Sequence, residues 1–267
     1  MSRVSALIGM MNFVNLAHGA FAMLGGYVTV TLMNVHGWPF LLTLPVAFLA
    51  SALTSVALER TLYRRLYRAS ELDQVLLTIG LAFMAVGAAA YIFGTVQQTT
   101  RMPSYLRGSV TLLGGTFGSY RMFLVGMGLL VALVLLLTLE WTRFGAQIRA
   151  AVDNQRMAQG LGIHVGGVFA IAFAIGSGLA GLGGALAIEI VGLDPAFAFT
   201  YLVYVLIVVS VGGLGSIGGS LAAALMLGVA DIAGKYYVPR LGAFIIYLVM
   251  VVLLMWRPAG LLGRRQV

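Results

Sequence analysis

Residues 195–230 read PAFAFTYLVYVLIVVSVGGLGSIGGSLAAALMLGVA, 36 consecutive positions without a charged side chain. As one helix the stretch would be about 54 Å long at 1.5 Å per residue, against roughly 30 Å for the hydrocarbon core of a bilayer. It must break, and Gly212-Gly213-Leu214-Gly215-Ser216-Ile217-Gly218-Gly219 marks the place, since each glycine costs a helix interior about 1 kcal/mol relative to alanine. The flanks Thr200–Val211 and Ser220–Ala230 are then half-helices of about 11 or 12 residues, each too short for an untilted crossing.

Working outward, six further uncharged stretches are visible: Val4–Met33, Trp38–Leu58, Gln74–Val96, Met122–Leu139, Val165–Ile188 and Leu241–Trp256. The 267 residues are 61% apolar and only 9% charged, with a mean hydropathy of +1.01. Soluble domains carry about a quarter charged residues, so a water-facing surface of this size is excluded. The fold class is all-α: a polytopic membrane helical bundle of about 7–8 segments, including a broken or re-entrant glycine-rich pair. Residues 1–267 read as one transmembrane domain. Met1–Met11 lacks a secretory n-region and cleavage site and is taken as part of the mature chain.

The basic residues orient the spans. Arg60, Arg64, Arg65 and Arg68, then Arg143, Arg149 and Arg156, then Arg257, Arg264 and Arg265 lie in alternate loops and at the C-terminus; with Arg3 they make eleven of the sixteen Lys and Arg. The positive-inside rule puts this majority in the cytoplasm, with both termini cytoplasmic and the loop Val191–Asp194 outside. The stretch Thr200–Ala230 must then begin and end on the same side. It is expected to form a hairpin with the glycine octet as its deep turn, and non-helical backbone at that depth survives only where it is buried in protein or lines a cavity.

Several function classes fall away. There is no cysteine, so disulfides, thiolate metal sites and thiol nucleophiles are excluded. Three histidines, none at ligand spacing from another, and the lack of HExxH speak against a metal site. Ser216 sits in no nucleophile elbow, and no catalytic residues are assigned. Gly213-x-Gly215-x-x-Gly218 matches the dinucleotide fingerprint but lies in an apolar run without a βαβ context. Lys235 is the only lysine and no P-loop motif occurs, so the chain is not read as an enzyme or as a cofactor binder. The net charge of +8 follows from membrane topology, and nucleic acid is not expected as a partner.

The octet reads either as a tight turn bringing helices close or as the lining of a substrate or gating region. Asn12, Asn15, His18 and Gly19 fall in the first span, Asn15 and His18 sharing one helical face. Polar groups there turn inward, towards substrate or towards another helix. Ala172, Gly176, Ala180 and Gly184 recur every fourth residue, a packing stripe with a helix of another subunit as a candidate partner. Glu189 and Asp194 are expected at the exposed outer end of that span.

The segment 142–163 reads TRFGAQIRAAVDNQRMAQGLGI. Ala146–Gln159 has good helix formers and stops at Gly160 and Gly162. Ile148, Ala151, Val152 and Met157 lie near one side and Arg149, Asp153 and Arg156 elsewhere, which suits either docking to a partner protein or an interfacial helix.

GMMNFVNLAHG (9–19), RFGAQIRAAVDNQRMAQGLGI (143–163), the octet and RPAGLLG (257–263) together resemble, in order and spacing, the permeases of branched-chain amino-acid ABC importers. The resemblance is to the H-type subunit of a Liv-type system, in a bacterial or archaeal inner membrane. That family usually carries a further apolar helix ahead of its N-x-A-H-G segment, and this chain begins almost at the segment. The resemblance implies alternating access driven by two ABC ATPase subunits that hold the ATP, a second, M-type permease subunit, and an extracytoplasmic binding protein delivering Leu, Ile or Val. It implies that Arg149, Ala150, Asp153, Asn154, Ala158 and Gly162 form the ATPase coupling surface. It also implies that Asn12, Asn15, His18, Gly19, Ser210, Gly212, Gly213, Gly215, Ser216, Gly218 and Gly219 line the path. A urea, amide or other amino-acid ABC permease is the neighbouring alternative. An ion-driven secondary transporter is the more distant one; such proteins usually place acids at midplane sites, and the spans here hold almost none.

Overall fold

A computed structural model describes residues 16–63, 69–100, 102–112, 115–213 and 216–261; Asn12, Asn15 and Gly215 lie outside them. The chain groups into two compact units, Met1–Tyr201 and Leu202–Val267. The first holds α1 (His18–Asn34), α2 (Phe40–Leu58) continued by a π-helical turn at Glu59–Tyr63, α3 (Glu71–Phe93), α4 (Ser119–Trp141), the short α5 (Arg143–Asp153) and α6 (Gln155–Gly160), and α7 (Val165–Val191). The unit boundary falls within α8 (Phe197–Gly212), and α9 (Ile217–Tyr237) and α10 (Gly242–Trp256) complete the second.

The helical, polytopic architecture read from the sequence is the one adopted. Phe40–Tyr63, Leu72–Phe93, Ser119–Trp141 and Val165–Val191 are long and apolar enough to cross a membrane, with mean hydropathies of 2.0, 2.2, 2.8 and 1.9. Phe197–Gly212 and Phe244–Trp256 are shorter apolar helices. α4 is apolar all round and leaves Val125, Leu129, Leu133 and Val134 exposed, as a span facing lipid does. Trp141 closes it and is exposed, a residue type that favours the membrane–water interface.

One β element is added to the helices. Between α3 and α4, β1 (Ser109–Leu112) pairs antiparallel with β2 (Gly115–Gly118), Ser109 opposite Gly118 and Thr111 opposite Thr116. Val110, Thr111, Thr116 and Phe117 are the β-branched and aromatic types that fit a pleated ribbon.

The first unit is organised around α7, which packs on both α1 and α2. Lipid is as apolar as leucine, so helices in a membrane associate through close packing of small residues. A Cβ added to Gly25 would meet the backbone of Gly181, one on Gly184 the backbone of Ala22, and one on Gly178 the ring of Phe48 at 2.7 Å. Ser51 Oγ, fully buried, donates to Phe21 O at 3.1 Å and ties α2 to α1. The fourfold stripe is corrected accordingly. Gly184 and Ala180 are buried against this chain's own helices, whereas Gly176 faces open space. The contacting face is Gly178, Gly181 and Gly184, spaced at three because α7 touches two neighbours at once. Aromatic pairs complete the packing: Tyr27 stacks on Phe93 at 4.2 Å, and Phe173 receives the edges of Phe21 at 6.1 Å and Tyr63 at 5.2 Å.

α3 starts from a capping box, Ser70 Oγ accepting from Asp73 N and Asp73 Oδ2 from Ser70 N, which satisfies two otherwise orphan donors.

In the second unit Ile207, Val211, Ala223, Leu227 and Ile246 form the core. The break in the long apolar stretch falls at the glycines, but the helices on either side exceed the half-helices expected. α8 begins at Phe197 and has 16 residues; α9 has 21 and runs past Ala230 to Tyr237, a length of about 31 Å. In this continuation Asp231 and Lys235, one turn apart, pair at 2.6 Å, an arrangement that supports a helix modestly.

Candidate functional site

One end of the first unit is knitted into a cap by residues distant in sequence. Asn34 Nδ2, at the end of α1, donates to Thr99 O at 2.9 Å. Gln98 and Leu193 exchange backbone hydrogen bonds of 2.7 and 3.3 Å, and Gln97 Nε2 donates to Val191 O at 3.3 Å. α7 stops at Gly192, whose φ of +78° is a conformation glycine alone adopts without strain. Asp194 Oδ1 accepts from Phe197 N at 2.9 Å and closes the first turn of α8. Tyr120, buried at the start of α4, donates its hydroxyl to Leu186 O at 2.7 Å and so anchors the hairpin to α7. Tyr120→Phe is expected to lower stability by about 1 kcal/mol, a fall of about 2–4 °C in the unfolding midpoint for a protein of this size. An unchanged midpoint in a detergent melting series would remove this bond from the account of how the cap is held.

Beneath the cap lies a cavity of about 650 Å³ lined by Thr100, Met102, Leu106, Arg107, Tyr120, Arg121, Glu189 and Ile190, among others. Arg107 lies two residues before the ribbon and Arg121 three residues after it, and the pairing of Ser109 with Gly118 draws these two chain segments together. Thr100 is only 9% exposed, and its hydroxyl has no hydrogen-bond partner among the described residues, a situation that costs about 1–3 kcal/mol unless a ligand or water supplies one. Glu189 is exposed, in agreement with its expected place at the end of the span.

Of the polar first-span residues, His18 and Gly19 open α1, His18 half-buried and Gly19 buried; Asn12 and Asn15 lie outside the described residues. Ala17 and Ala20, which flank them, line a second cavity of about 600 Å³ between α1, the end of α2 and α3, with Phe21, Leu24, Leu81 and Phe93 among its walls. Its lining is almost entirely apolar. The hydroxyl of Tyr27, which also lines it, is buried without a partner among the described residues.

The glycine octet belongs to the second unit, and Gly212, Gly213, Ser216 and Gly219 have local roles there. A Cβ on Gly212 would lie 2.6 Å from Ser220 Cα, and Gly219 faces the Gly212 carbonyl. Gly213 has φ +95°. Ser216 caps α9, its Oγ accepting from Gly219 N at 3.0 Å. Gly218 and Ser210 are exposed. The chain after α10 crosses this turn: Leu261 N donates to Val211 O at 2.8 Å, and Gly260, at φ +81°, abuts Gly213. The turn is therefore level with Arg257 at the end of α10.

The 142–163 segment folds at the other end of the first unit. The single helix expected over Ala146–Gln159 is corrected to two. Asn154, at φ −152° and ψ 97°, ends α5 and caps α6 through its Oδ1, which accepts from Met157 N at 3.1 Å; the N-cap bond outweighs the good helix propensity of the residues around it. Thr142 caps α5 in the same way, accepting from Gly145 N at 3.2 Å. The elbow rests on α7 through Ala151, Ala158 and Val165. Of the coupling residues, Arg149, Asp153, Asn154 and Gly162 are exposed and Ala150 is half-buried. Ala158 is 2% exposed, so its side chain faces the core and not the surface. Arg149 Nη1 donates to Leu139 O and closes the corner from α4 into α5. Met157, assigned from periodicity to the apolar side, is 69% exposed, and Leu161 is 80% exposed. Periodicity missed them because the break at Asn154 changes the rotation of every residue that follows. An exposed apolar pair close in sequence to the exposed Asp153 and Arg156 has the composition of a protein contact.

The family model described as branched-chain amino acid transport system, permease component, matches residues 4–254. The high-affinity branched-chain amino acid transport system permease protein BraD of Pseudomonas aeruginosa is 28% identical over 279 residues, covering 99% of this chain and 89% of the relative. LivH of Escherichia coli K12, described in the same terms, is 25% identical over 282 residues with the same coverage. A probable branched-chain amino acid transport permease protein, LivH, of Methanocaldococcus jannaschii is 26% identical over 266 residues, covering 94% of this chain and 84% of its own. No solved structure matches the chain.

Proposed function

Because this chain belongs to the family of branched-chain amino acid transport system permease components, we propose that it is the H-type permease subunit of an ATP-driven importer of leucine, isoleucine and valine. The observation that carries the proposal is the match over residues 4–254, together with relatives named for this substrate class in bacteria and an archaeon. The elbow end faces the cytoplasm, in keeping with Arg60, Arg143, Arg149 and Arg156, and the cap faces outward, where a binding protein delivers the amino acid. The chain itself holds no ATP. Two ATPase subunits hold it, docked on the α5–α6 elbow, and a second permease subunit completes the path.

Coupling requires that the permease conformations interact differently with the ATPase conformations. The short elbow suits this, because its two capped helices rest on α7 through small alanine contacts. The apolar cavity beside Ala17 and Ala20 offers branched aliphatic side chains the surroundings they favour, and His18 and the glycine turn remain candidates for the path. In nanodiscs holding the chain with its neighbouring gene products, liganded binding protein is expected to stimulate ATP hydrolysis and to drive leucine uptake into proteoliposomes. A chain that purifies alone and moves solute without ATP would overturn the proposal in favour of a secondary transporter. Stimulation by a urea or amide in place of leucine would overturn the substrate assignment alone.

A further inference from the structure

We propose that the cavity under the cap is a transient receiving site for a free zwitterionic aliphatic amino acid. The inference rests on the importer reading for its substrate class, but its geometry belongs to this chain alone. An α-amino acid presents a carboxylate, an ammonium and a side chain from one carbon, so a site for it needs a cation, an anion and an apolar wall within one small space. The cavity of about 650 Å³ supplies all three: Arg107 and Arg121, Glu189, and Met102, Leu106 and Ile190. Among the described residues these three charged groups form no ion pair with one another or with a fourth group, so their charges remain available to a ligand.

The second observation is Thr100. Thr100 lines the same cavity, and its buried hydroxyl has no partner among the described residues, which leaves a donor and two acceptor positions unfilled. The carboxylate takes the guanidinium groups, whose planar fork matches it, with the Thr100 hydroxyl as a further donor. The ammonium takes Glu189, and the side chain lies on Met102, Leu106 and Ile190. The lining is held in place by contacts other than those the ligand would use: Tyr120 to Leu186, Gln98 to Leu193 and the hairpin ladder.

Arg107, Arg121 and Glu189 are all exposed, so solvent weakens each pairing and the expected affinity is low, on the order of a millimolar dissociation constant. Weak binding is what a hand-off position needs, since an occupant held tightly would not leave.

The test uses the assembled transporter in nanodiscs without binding protein, with L-leucine observed by saturation-transfer difference NMR. Leucine is expected to give a saturable signal. 4-Methylpentanoate, lacking the ammonium, and isopentylamine, lacking the carboxylate, are expected to bind at least tenfold more weakly. Arg107→Gln with Arg121→Gln, and separately Glu189→Gln, should each reduce the leucine signal at least tenfold, and Thr100→Val about threefold, with co-purification of the partner subunits and the melting midpoint unchanged. Absence of a leucine signal in the wild-type complex, or a signal that survives the arginine exchanges, would overturn the proposal. A loss of binding-protein affinity in these variants without loss of the leucine signal would also overturn it and make the cavity rim a protein-docking surface. Stimulation of wild-type ATP hydrolysis by liganded binding protein is measured on the same preparation, so failure of the importer reading is seen separately from failure of the receiving site.

Discussion

Exchange of both Met157 and Leu161 for aspartate is expected to weaken docking of the ATPase subunits by about a thousandfold and to abolish leucine uptake, with the permease still inserted and folded. Both side chains are exposed, at 69% and 80%, so neither contributes much to the fold and the exchanges leave the core of Ala151, Ala158 and Val165 intact. Central apolar anchors in an interface lose about 2 kcal/mol each on truncation, and the resulting total of about 4 kcal/mol corresponds to roughly a thousandfold before any desolvation penalty of the new carboxylates. Asp153→Arg, a charge reversal on the exposed rim of the same elbow, is expected to act more mildly, about tenfold, by uncoupling ATP hydrolysis from transport without dispersing the complex. The checks are co-purification of tagged permease with the ATPase subunits and the ratio of leucine moved to ATP hydrolysed. Normal uptake by the double aspartate variant would show that the ATPases engage another surface.

The second large effect is expected in the helix packing of the first unit. Gly184→Leu places a branched side chain where the Ala22 backbone already lies. No rotamer relieves the clash, because the obstacle is main chain, and α1 must move away from α7. Overpacking typically costs 1–3 kcal/mol, more where the neighbour cannot yield; about 3 kcal/mol or more is expected here, together with lost close contact and exposure of the Ser51 to Phe21 hydrogen bond that joins α2 to α1. A Cβ added to Gly176 on the same helix would meet nothing within 4 Å, so Gly176→Leu is expected to leave the melting midpoint of the isolated chain within about 2 °C, since substitutions away from packed features rarely exceed about 0.5 kcal/mol. The comparison is made by thermal unfolding in detergent and by the monodisperse fraction on size exclusion. Equal behaviour of the two variants would refute the packing role given to the Gly178, Gly181 and Gly184 face.

The amino-acid sequence alone determined that this chain lives in a membrane, where its apolar spans lie, that the 195–230 stretch breaks at its glycines, and which family its motifs resemble. Each of these is carried by composition or by order along the chain, and the bilayer imposes a length on every span whatever the packing. The tertiary structure decided which face of each helix is buried. On a span apolar all round, hydropathy cannot tell lipid from protein, so the fourfold stripe of α7 pointed partly to open space at Gly176, and the contacting glycines had to be located through α1 and α2. It likewise decided the elbow, because the Asn154 side chain caps α6 and ends α5 there, burying Ala158 and turning Met157 outward. α9 runs on through Asp231 and Lys235, which pair one turn apart, and a search for uncharged residues necessarily stops short of them. The cap was the least legible of all: Asn34, Gln98, Thr100, Arg107, Arg121, Glu189 and Leu193 come together from four separate segments, and no local periodicity records a neighbourhood that only chain closure creates.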